Sequence, residues 1–369
     1  MTLAQFWFIL IAVLWTGFFV LEGFDLGAGM LHGIIGHDEA GRRMVINTIG
    51  PLWDGNEVWL IVAGAAIFAA FPGWYATMFS GFYLALVLLL AALMARGTSF
   101  EFRRKRDSAA WRRMWDGLLT GGSLLVPLLI GIALGDLLHG LPIDSAQNYT
   151  GSFWDLLQPY GVYTGIALVA ICVLHGATFI TLKTTGQVAG RAARVGARAG
   201  PIVALVVIGW AFWTHVIAGK GFWPNPLEIG IVLVVIAAAW LAGERREGWA
   251  FACTTVTIAL AMLTLFTDLY PNVMKSSTNS AYNLTVANTA SPSYTLKLMS
   301  IVAVILLPVV LAYTAWNYYV FRRRLTASEF QPTGTALAES PVAADATGGA
   351  PEPDGERAGI RDSRTPSAG

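Results

Sequence analysis

The stretch Phe19-Val-Leu-Glu-Gly-Phe-Asp-Leu-Gly-Ala-Gly-Met-Leu31 places two carboxylates, Glu22 and Asp25, three residues apart among apolar residues and glycine. Apolar sequence flanks it on both sides, and no other charged residue occurs between Met1 and Asp38 when histidine is counted as neutral. On a soluble helix such a pair would only mark the hydrated face. Its meaning therefore depends on the solvent that surrounds the helix.

The composition of the whole chain indicates a membrane environment. Of its 369 residues, 55% are hydrophobic and only 13% are charged, and the mean hydropathy is +0.58. A typical soluble domain is about 25% charged. The net charge is only +1, and nothing in it points to nucleic acid as a partner. Cys172 and Cys253 each lie in an apolar run without a CxxC spacing, which is typical of buried free thiols.

Nine apolar runs are long enough to cross a bilayer, since a spanning helix needs about 20 mostly apolar residues. They cover residues 6–33, 52–71, 75–96, 117–139, 160–182, 201–219, 226–243, 249–270 and 297–321. We therefore predict an all-α polytopic protein of the cell membrane, with a nine-helix transmembrane domain over residues 1–324. After Arg324 the sequence changes to Ala, Pro, Gly, Ser, Thr and charged residues, which predicts a disordered cytoplasmic tail over residues 325–369.

Arginine and lysine are concentrated in alternate loops, which sets the orientation of the chain by the positive-inside rule. The basic loops contain Arg42, Arg43, Arg103, Arg104, Lys105, Arg106, Arg112, Arg113, Lys183, Arg191, Arg194, Arg198, Arg245 and Arg246, and the tail begins with Arg322-Arg323-Arg324. The other loops contain almost none, with Lys220, Lys275 and Lys297 as the exceptions. The sequence therefore predicts an external N-terminus and a cytoplasmic C-terminus.

Four carboxylates lie near the cytoplasmic ends of the first two predicted spans. Asp25 lies some ~12 Å from the inner end of the first span, and Glu22 is one turn farther out on the same face. Asp54 and Glu57, again three apart, occupy the first two turns of the second span. A charge at membrane depth costs at least ~2.5–3.5 kcal/mol and normally faces a partner or a hydrated path. These residues are our candidates for a proton path, and we expect the Asp25 and Asp54 carboxyls to converge within reach of one or two bridging waters.

Structural roles can explain parts of the same pattern. Asp54 follows Pro51 and could complement the positive end of a helix dipole. Arg96 closes the third span at the same cytoplasmic level, so it could clamp an aspartate structurally or hold it ionised until a proton arrives. The pairs Gly23-x-x-x-Gly27 and Gly29-x-x-x-Gly33 favour close helix packing and carry little information on function.

The histidines are not spaced as a haem or metal site would require. His37 and His139 fall at helix ends, where we expect them to be solvated. His175 lies ~22 Å from the outer start of the fifth span, and His215 lies ~21 Å from the inner start of the sixth. Because these spans run in opposite directions, the two rings lie in different leaflets. A lone buried histidine is more often a hydrogen-bonded core residue than a ligand, and we predict no haem, no metal and no catalytic residue in this chain.

Several motifs resemble subunit II of the cytochrome bd quinol oxidases. They are GFDLGAGML at 23–31, RRMVINTIGPLWDGNEVWLIVAGAAIFAAFP at 42–72, FSGFYLALVLLL at 79–90, YPNVMKSSTNSAYNLTVANTASPSYTLKLM at 270–299 and LAYTAWNYYVFRRR at 311–324. The resemblance runs over residues 5–324, and the block that contains DGN is its most specific part. Two features depart from the family: Glu57 stands where glutamine is familiar, and the loop between the sixth and seventh spans is very short.

The resemblance implies a nine-helix subunit that packs against, and stabilises, a similar subunit I holding haems b and d and the quinol site. Such a complex oxidises membrane quinol and reduces dioxygen to water with protons drawn from the cytoplasm. It implies that Asp25, Asp54 and Arg96 belong to that inward path, and that this chain is an enzyme subunit without cofactors of its own. A bound structural quinone or lipid and a small accessory subunit are compatible with the resemblance, which does not define the quinone type.

Two other functions are compatible with the residues taken alone. A secondary transporter would need inverted repeats with broken helices that meet at the midplane. The sequence shows no such symmetry, and its acids cluster near one face instead. A purely structural scaffold would use the carboxylates only to bind Arg96.

Overall fold

The computed structural model describes residues 1–219 and 221–330, which are mostly helical. The helices are α1 (Leu3–Ile35), α2 (Glu39–Ile49), α3 (Trp53–Ala70), α4 (Pro72–Gly81), α5 (Tyr83–Phe102), α6 (Ala109–His139), α7 (Pro159–Lys183), α8 (Gly186–Ala218), α9 (Pro226–Gly243), α10 (Glu247–Leu269) and α11 (Ser293–Val320). Three short 3-10 turns lie at Phe153–Leu156, Ser280–Tyr282 and Ala327–Phe330. Between α10 and α11, strands β1 (Asn272–Met274) and β2 (Leu284–Thr285) form an antiparallel pair.

The prediction of an all-α membrane protein is confirmed. Within the described residues, eight helices are long and apolar enough to cross a membrane. The number rises to nine if α2 and α3, which meet at a bend of 44°, are taken as one broken span. The bend falls at Gly50-Pro51, where proline cannot continue the hydrogen-bond ladder of α2.

Some element boundaries differ from the predicted ones. The predicted span 75–96 is interrupted at Phe82, between α4 and α5. Residues 186–200, predicted as part of a basic loop, form the first turns of α8, which continues through Pro201. The compact unit extends to Phe330, beyond the predicted boundary at Arg324, and the remainder of the predicted tail, 331–369, lies outside the described residues.

Helix α1 occupies the centre of the bundle and packs against α3, α6, α7 and α10. Its closest approach is to α7, where a Cβ placed on Gly27 would lie 2.0 Å from the backbone oxygen of Cys172. This observation explains the first of the two predicted glycine pairs. The second pair is used only in part, because a Cβ on Gly29 would meet Ser123 whereas one on Gly33 would meet nothing within 4 Å.

Helix α11 lies at the edge of the bundle. Only Leu296 of this helix is buried, although its most apolar window has a mean hydropathy of 2.4, the highest of the eight. Its exposed apolar side chains therefore face lipid or another protein. The helix contacts the bundle near both of its ends: the Trp7 indole of α1 donates to the Leu296 carbonyl oxygen and to the Ser300 hydroxyl, and Tyr318 donates to Asn56 of α3.

Candidate proton-transfer site

Arg96 of α5 is the centre of a buried charge network. Its side chain is fully buried, and its Nη2 atom lies 2.6 Å from Oε1 of Glu22 on α1. Its Nη1 atom donates a hydrogen bond of 3.2 Å to Oε2 of Glu57 on α3, whose side chain is 18% exposed. The guanidinium also packs beside two aromatic rings, at 5.9 Å from the Trp53 centroid and 5.5 Å from that of Phe100.

Asp25 lies beside this network and belongs to a second chain of hydrogen bonds. It is fully buried, and its Oδ2 atom accepts a hydrogen bond of 2.6 Å from Nδ2 of Asn56. The Oδ1 atom of Asn56 accepts in turn from the hydroxyl of Tyr318, at 2.9 Å. The Oδ1 atom of Asp25 is buried and, among the described residues, has no hydrogen-bond partner. Asn56 therefore holds one oxygen of this carboxyl in place, and the carboxyl also lies within hydrogen-bonding reach of Glu22 when one of the two acids is protonated.

The structure thus brings together four of the five predicted residues, Glu22, Asp25, Glu57 and Arg96. The expected pair between Arg96 and an aspartate is wrong, because the ion pairs of Arg96 go to the two glutamates. Asp54 is exposed in the first turn of α3.

Helix geometry explains the position of Asp54. The buried stripe of α3 contains Asn56, Trp59 and Ala63, which face the bundle. Asp54 precedes Asn56 by two residues, a rotation of roughly 200° about the helix axis. The proximity of the Asp25 and Asp54 carboxyls stays a prediction.

Sequence reasoning missed Asn56 and Tyr318. Asn56 could have been found, because it has the helical spacing of the apolar residues Trp59 and Ala63 and is only 2% exposed. Tyr318 could not, because its contact with Asn56 joins residues 262 positions apart in the chain. Nothing in the local sequence of α11 indicates which of its tyrosines faces α3.

A second ionic cluster, also missed, joins the predicted cytoplasmic ends of α1, α2, α5 and α6. Arg103 forms paired hydrogen bonds with Glu39, at 2.8 and 2.9 Å, and donates to Asp116 at 2.6 Å. Asp116 also lies 3.3 Å from Arg42 and 3.2 Å from Nε2 of His32. These ion pairs hold the predicted cytoplasmic loops against the bundle. The charged side chains involved are therefore paired with one another and not simply solvated.

Two further histidines, the buried His175 and the partly buried His215, are in contact with neighbouring groups. Nδ1 of His175 lies 2.7 Å from the Thr254 hydroxyl, and its Nε2 lies 3.2 Å from the Val20 carbonyl oxygen. His215 pairs with Glu228 at 3.0 Å. Within residues 1–219 and 221–330, no group of three or more His, Cys, Asp or Glu side chains has the arrangement of a metal site.

The predicted outer half contains an acid of a different kind. Asp136, near the end of α6, is fully buried, and neither of its oxygens has a hydrogen-bond partner among the residues that the structure describes. It fits against α7 because Gly161 has no side chain; a Cβ there would lie 2.2 Å from the carboxyl Oδ1 atom. The sequence analysis did not single out this residue.

Comparison with known proteins identifies the family of the chain. A family profile described as cytochrome bd terminal oxidase subunit II matches residues 3–321. The chain belongs to this family. It is therefore a multi-pass membrane subunit of a respiratory terminal oxidase, which rules against the transporter alternative.

Individual relatives agree with this assignment. Cytochrome bd ubiquinol oxidase subunit 2 of Bacillus subtilis is 44% identical over 332 residues, which cover 89% of this chain and 98% of that protein. Cytochrome bd-I ubiquinol oxidase subunit 2 of Escherichia coli K12 is 36% identical over 364 residues, covering 88% and 96%. In fold, the chain is similar to a chain of the bd oxidase from Geobacillus thermodenitrificans, with a TM-score of 0.65 at 18% identity, covering 87% of this chain and 99% of that one.

Proposed function

We propose that this chain delivers protons from the cytoplasm to a dioxygen-reducing centre in its partner, subunit I, and stabilises that subunit. The names of the relatives specify ubiquinol oxidation, and a complex of this kind would transfer electrons from a membrane quinol to dioxygen. Reduction of one dioxygen to two waters consumes four protons. The subunit that contributes a path for them needs titratable groups inside the membrane on the cytoplasmic side.

The observation that carries this proposal is the arrangement around Asp25. One oxygen of its carboxyl is fixed by Asn56, and the other is buried without a donor among the described residues. The carboxyl lies within hydrogen-bonding reach of Glu22, so the two acids can share a proton beside Arg96. Burial favours the neutral form of a carboxyl, whereas a nearby guanidinium favours the ionised form. Opposed influences of this kind suit a group that takes up and releases protons.

The network also has a connection toward water. Glu57 is partly exposed and shares Arg96 with Glu22, which lies one turn from Asp25 on α1. We propose that Asp54, exposed in the first turn of α3, lies where protons arrive. Arginine itself stays charged, so protons would move between carboxyls through intervening waters while Arg96 limits the build-up of negative charge.

We propose further that the haems b and d and the site of electron transfer belong to subunit I. The ring nitrogens of His32 and His175 contact groups of this chain, and Nδ1 of His215 faces Glu228. A haem iron bound at any of these contacted nitrogens would displace such a contact. We therefore assign the haems and the chemistry of electron transfer to the partner.

A groove between α1, α3 and α11 is the place where we propose that a structural quinone or lipid binds. Its volume is ≈ 710 Å³, and its walls are almost entirely apolar. Asn56 and Tyr318 supply polar atoms to it. A long isoprenoid or acyl chain along the groove would cover the exposed face of α11, and a quinone ring at this end of the groove would lie beside Asn56 and Tyr318.

Oxygen consumption per mole of haem d tests the proton-delivery role. In Asp25→Asn the shape of the side chain and its contact with Asn56 are kept, but the titratable group is lost. We expect turnover to fall about 100-fold, as for loss of a positioned proton-transfer group, with normal haem content, and Asp25→Glu to retain part of the activity. Normal turnover per haem together with a low yield of complex would favour the purely structural scaffold.

A further inference from the structure

A cavity of ≈ 550 Å³ lies at the predicted cytoplasmic edge of the bundle. Its walls come from the α2–α3 bend, the end of α5 and the segment that follows α11. That segment is fixed in place: the Leu325 amide donates to the Lys183 carbonyl oxygen at 2.8 Å, and the Thr185 amide donates to the Leu325 oxygen at 3.1 Å. The short turn Ala327–Phe330 then packs against α2. The cavity is therefore enclosed by ordered elements on each of these sides.

The charges that line the cavity are not balanced. Arg103 is neutralised by Glu39 and Asp116, and Glu329 pairs with Arg323 at 2.9 Å. Three lining charges remain, namely Arg43, Arg104 and Glu101. Among the residues that the structure describes, none of these three takes part in an ion pair, which leaves one positive charge in excess.

Arg43 also presents an unsatisfied donor. Its Nε atom is buried and has no acceptor within the described part of the chain. Buried donors are nearly always satisfied in native proteins, and leaving one unpaired is unfavourable. A guanidinium in this state is suited to an acceptor that comes from outside the chain, and a phosphate oxygen is a strong one.

The apolar part of the cavity wall indicates which kind of molecule contains the phosphate. Trp53 and Phe100 stack at a centroid distance of 4.9 Å, and Phe321 and Phe330 complete the aromatic lining. The first three lie where α3, α5 and α11 begin or end, the level at which aromatic residues meet the interface of a membrane. Basic pockets between spanning helices on the cytoplasmic side are a known setting for anionic lipid headgroups.

We propose that this cavity binds the phosphate headgroup of an anionic phospholipid from the inner leaflet. Arg43 and Arg104 contact the phosphate oxygens, and the aromatic side chains contact the glycerol and the first methylene groups. A free phosphate ion would satisfy the arginines but leave the aromatic wall uncovered. The lipid would thereby brace the α2–α3 bend, from which Asn56 and Glu57 project toward the bundle.

The test uses the intact purified oxidase complex and native mass spectrometry in detergent with added phosphatidylglycerol or phosphatidylcholine. The variant is Arg43→Gln/Arg104→Gln. A basic residue near a membrane surface contributes about fivefold in affinity, so we expect about 25-fold weaker binding of one phosphatidylglycerol. The matched control is Arg106→Gln/Arg113→Gln, which removes the same charge from two exposed arginines outside the cavity and should bind as the unmodified complex does.

Equal affinity in the variant and the control would overturn the proposal, as would equal binding of phosphatidylcholine and phosphatidylglycerol by the unmodified complex. Displacement of the lipid by an equal concentration of inorganic phosphate would assign the site to a soluble anion instead. If the glutamine variant does not assemble, Arg43→Lys/Arg104→Lys keeps both charges and should retain most of the affinity. In the unmodified complex, the preference for phosphatidylglycerol over phosphatidylcholine should also fall as the salt concentration is raised.

Discussion

Asp25 and Asp136 are both fully buried aspartates of membrane-spanning helices, but within the described part of the chain only the Asp25 carboxyl accepts a hydrogen bond. Asp25 accepts a hydrogen bond from Asn56 and lies beside the Arg96 network, whose Glu57 is partly exposed. Neither oxygen of Asp136 has a partner in the described structure. On the proposed function, this difference separates an acid that can exchange protons from one that is only buried. A proton path needs an acid that other titratable groups link to water.

The largest effect should come from replacing Arg96, which forms the ion pairs of the buried charge network. Arg96→Gln leaves Glu22 without a counter-charge in the interior, and breaking a buried ion pair costs about 3–5 kcal/mol. We therefore expect little assembled complex in the membrane, measured as haem d per milligram of membrane protein. Arg113→Gln, which removes an exposed arginine, should leave the yield unchanged. A normal yield of Arg96→Gln would show that the network is not needed for folding.

Asp54→Asn should have a smaller effect, on turnover per haem and not on assembly. Asp54 is exposed, so the complex should assemble normally. If Asp54 receives protons and passes them toward Asp25, turnover per haem should fall. The loss should be smaller than the ~100-fold typical of removing a positioned proton-transfer group. Asp107→Asn, at an exposed site of the loop before α6, is the control. Unchanged oxygen consumption would remove Asp54 from the path and leave Glu57 as the connection to water.

Tyr318→Phe tests the residue at the end of the hydrogen-bond chain that leads through Asn56 to Asp25. It removes the donor to Oδ1 of Asn56 and should lower the stability of the complex by about 1 kcal/mol, the usual value of one hydrogen bond. The measurement is the thermal unfolding temperature of the purified complex. Tyr313→Phe, on an exposed tyrosine of the same helix, should have no effect. A stability of Tyr318→Phe equal to that of this control would argue that the hydrogen bond between Tyr318 and Asn56 does not help to hold α11 against the bundle.

Asp136→Asn should have the smallest effect. The amide keeps the shape of the side chain, and no ion pair or hydrogen bond of the described structure is lost. We expect turnover per haem to be unchanged and the stability of the complex to change by less than about 1 kcal/mol. A loss of turnover comparable to that of Asp25→Asn would contradict the distinction between the two aspartates.

The sequence predicted the class of fold and most of the network because both depend on local patterns. Apolar runs define the spans, and acids at membrane depth are rare enough to be noticed in Glu22 and Asp25. The choice of partner for Arg96 could not be predicted, because it depends on how α1, α3 and α5 are rotated about their axes. The first turns of α8 were missed for a related reason: Arg191, Arg194 and Arg198 suggested a loop, although basic residues are also common on exposed helical turns.

Proton uptake during a single turnover tests the central claim most directly. The fully reduced complex is mixed with dioxygen in the presence of a soluble pH indicator, while haem absorbance reports electron transfer. We expect Asp25→Asn to bind dioxygen at the normal rate but to take up protons about 100-fold more slowly than the unmodified complex, whereas Asp136→Asn takes them up normally. Normal proton uptake by Asp25→Asn, with full haem content, would contradict the assignment of the proton path to this network.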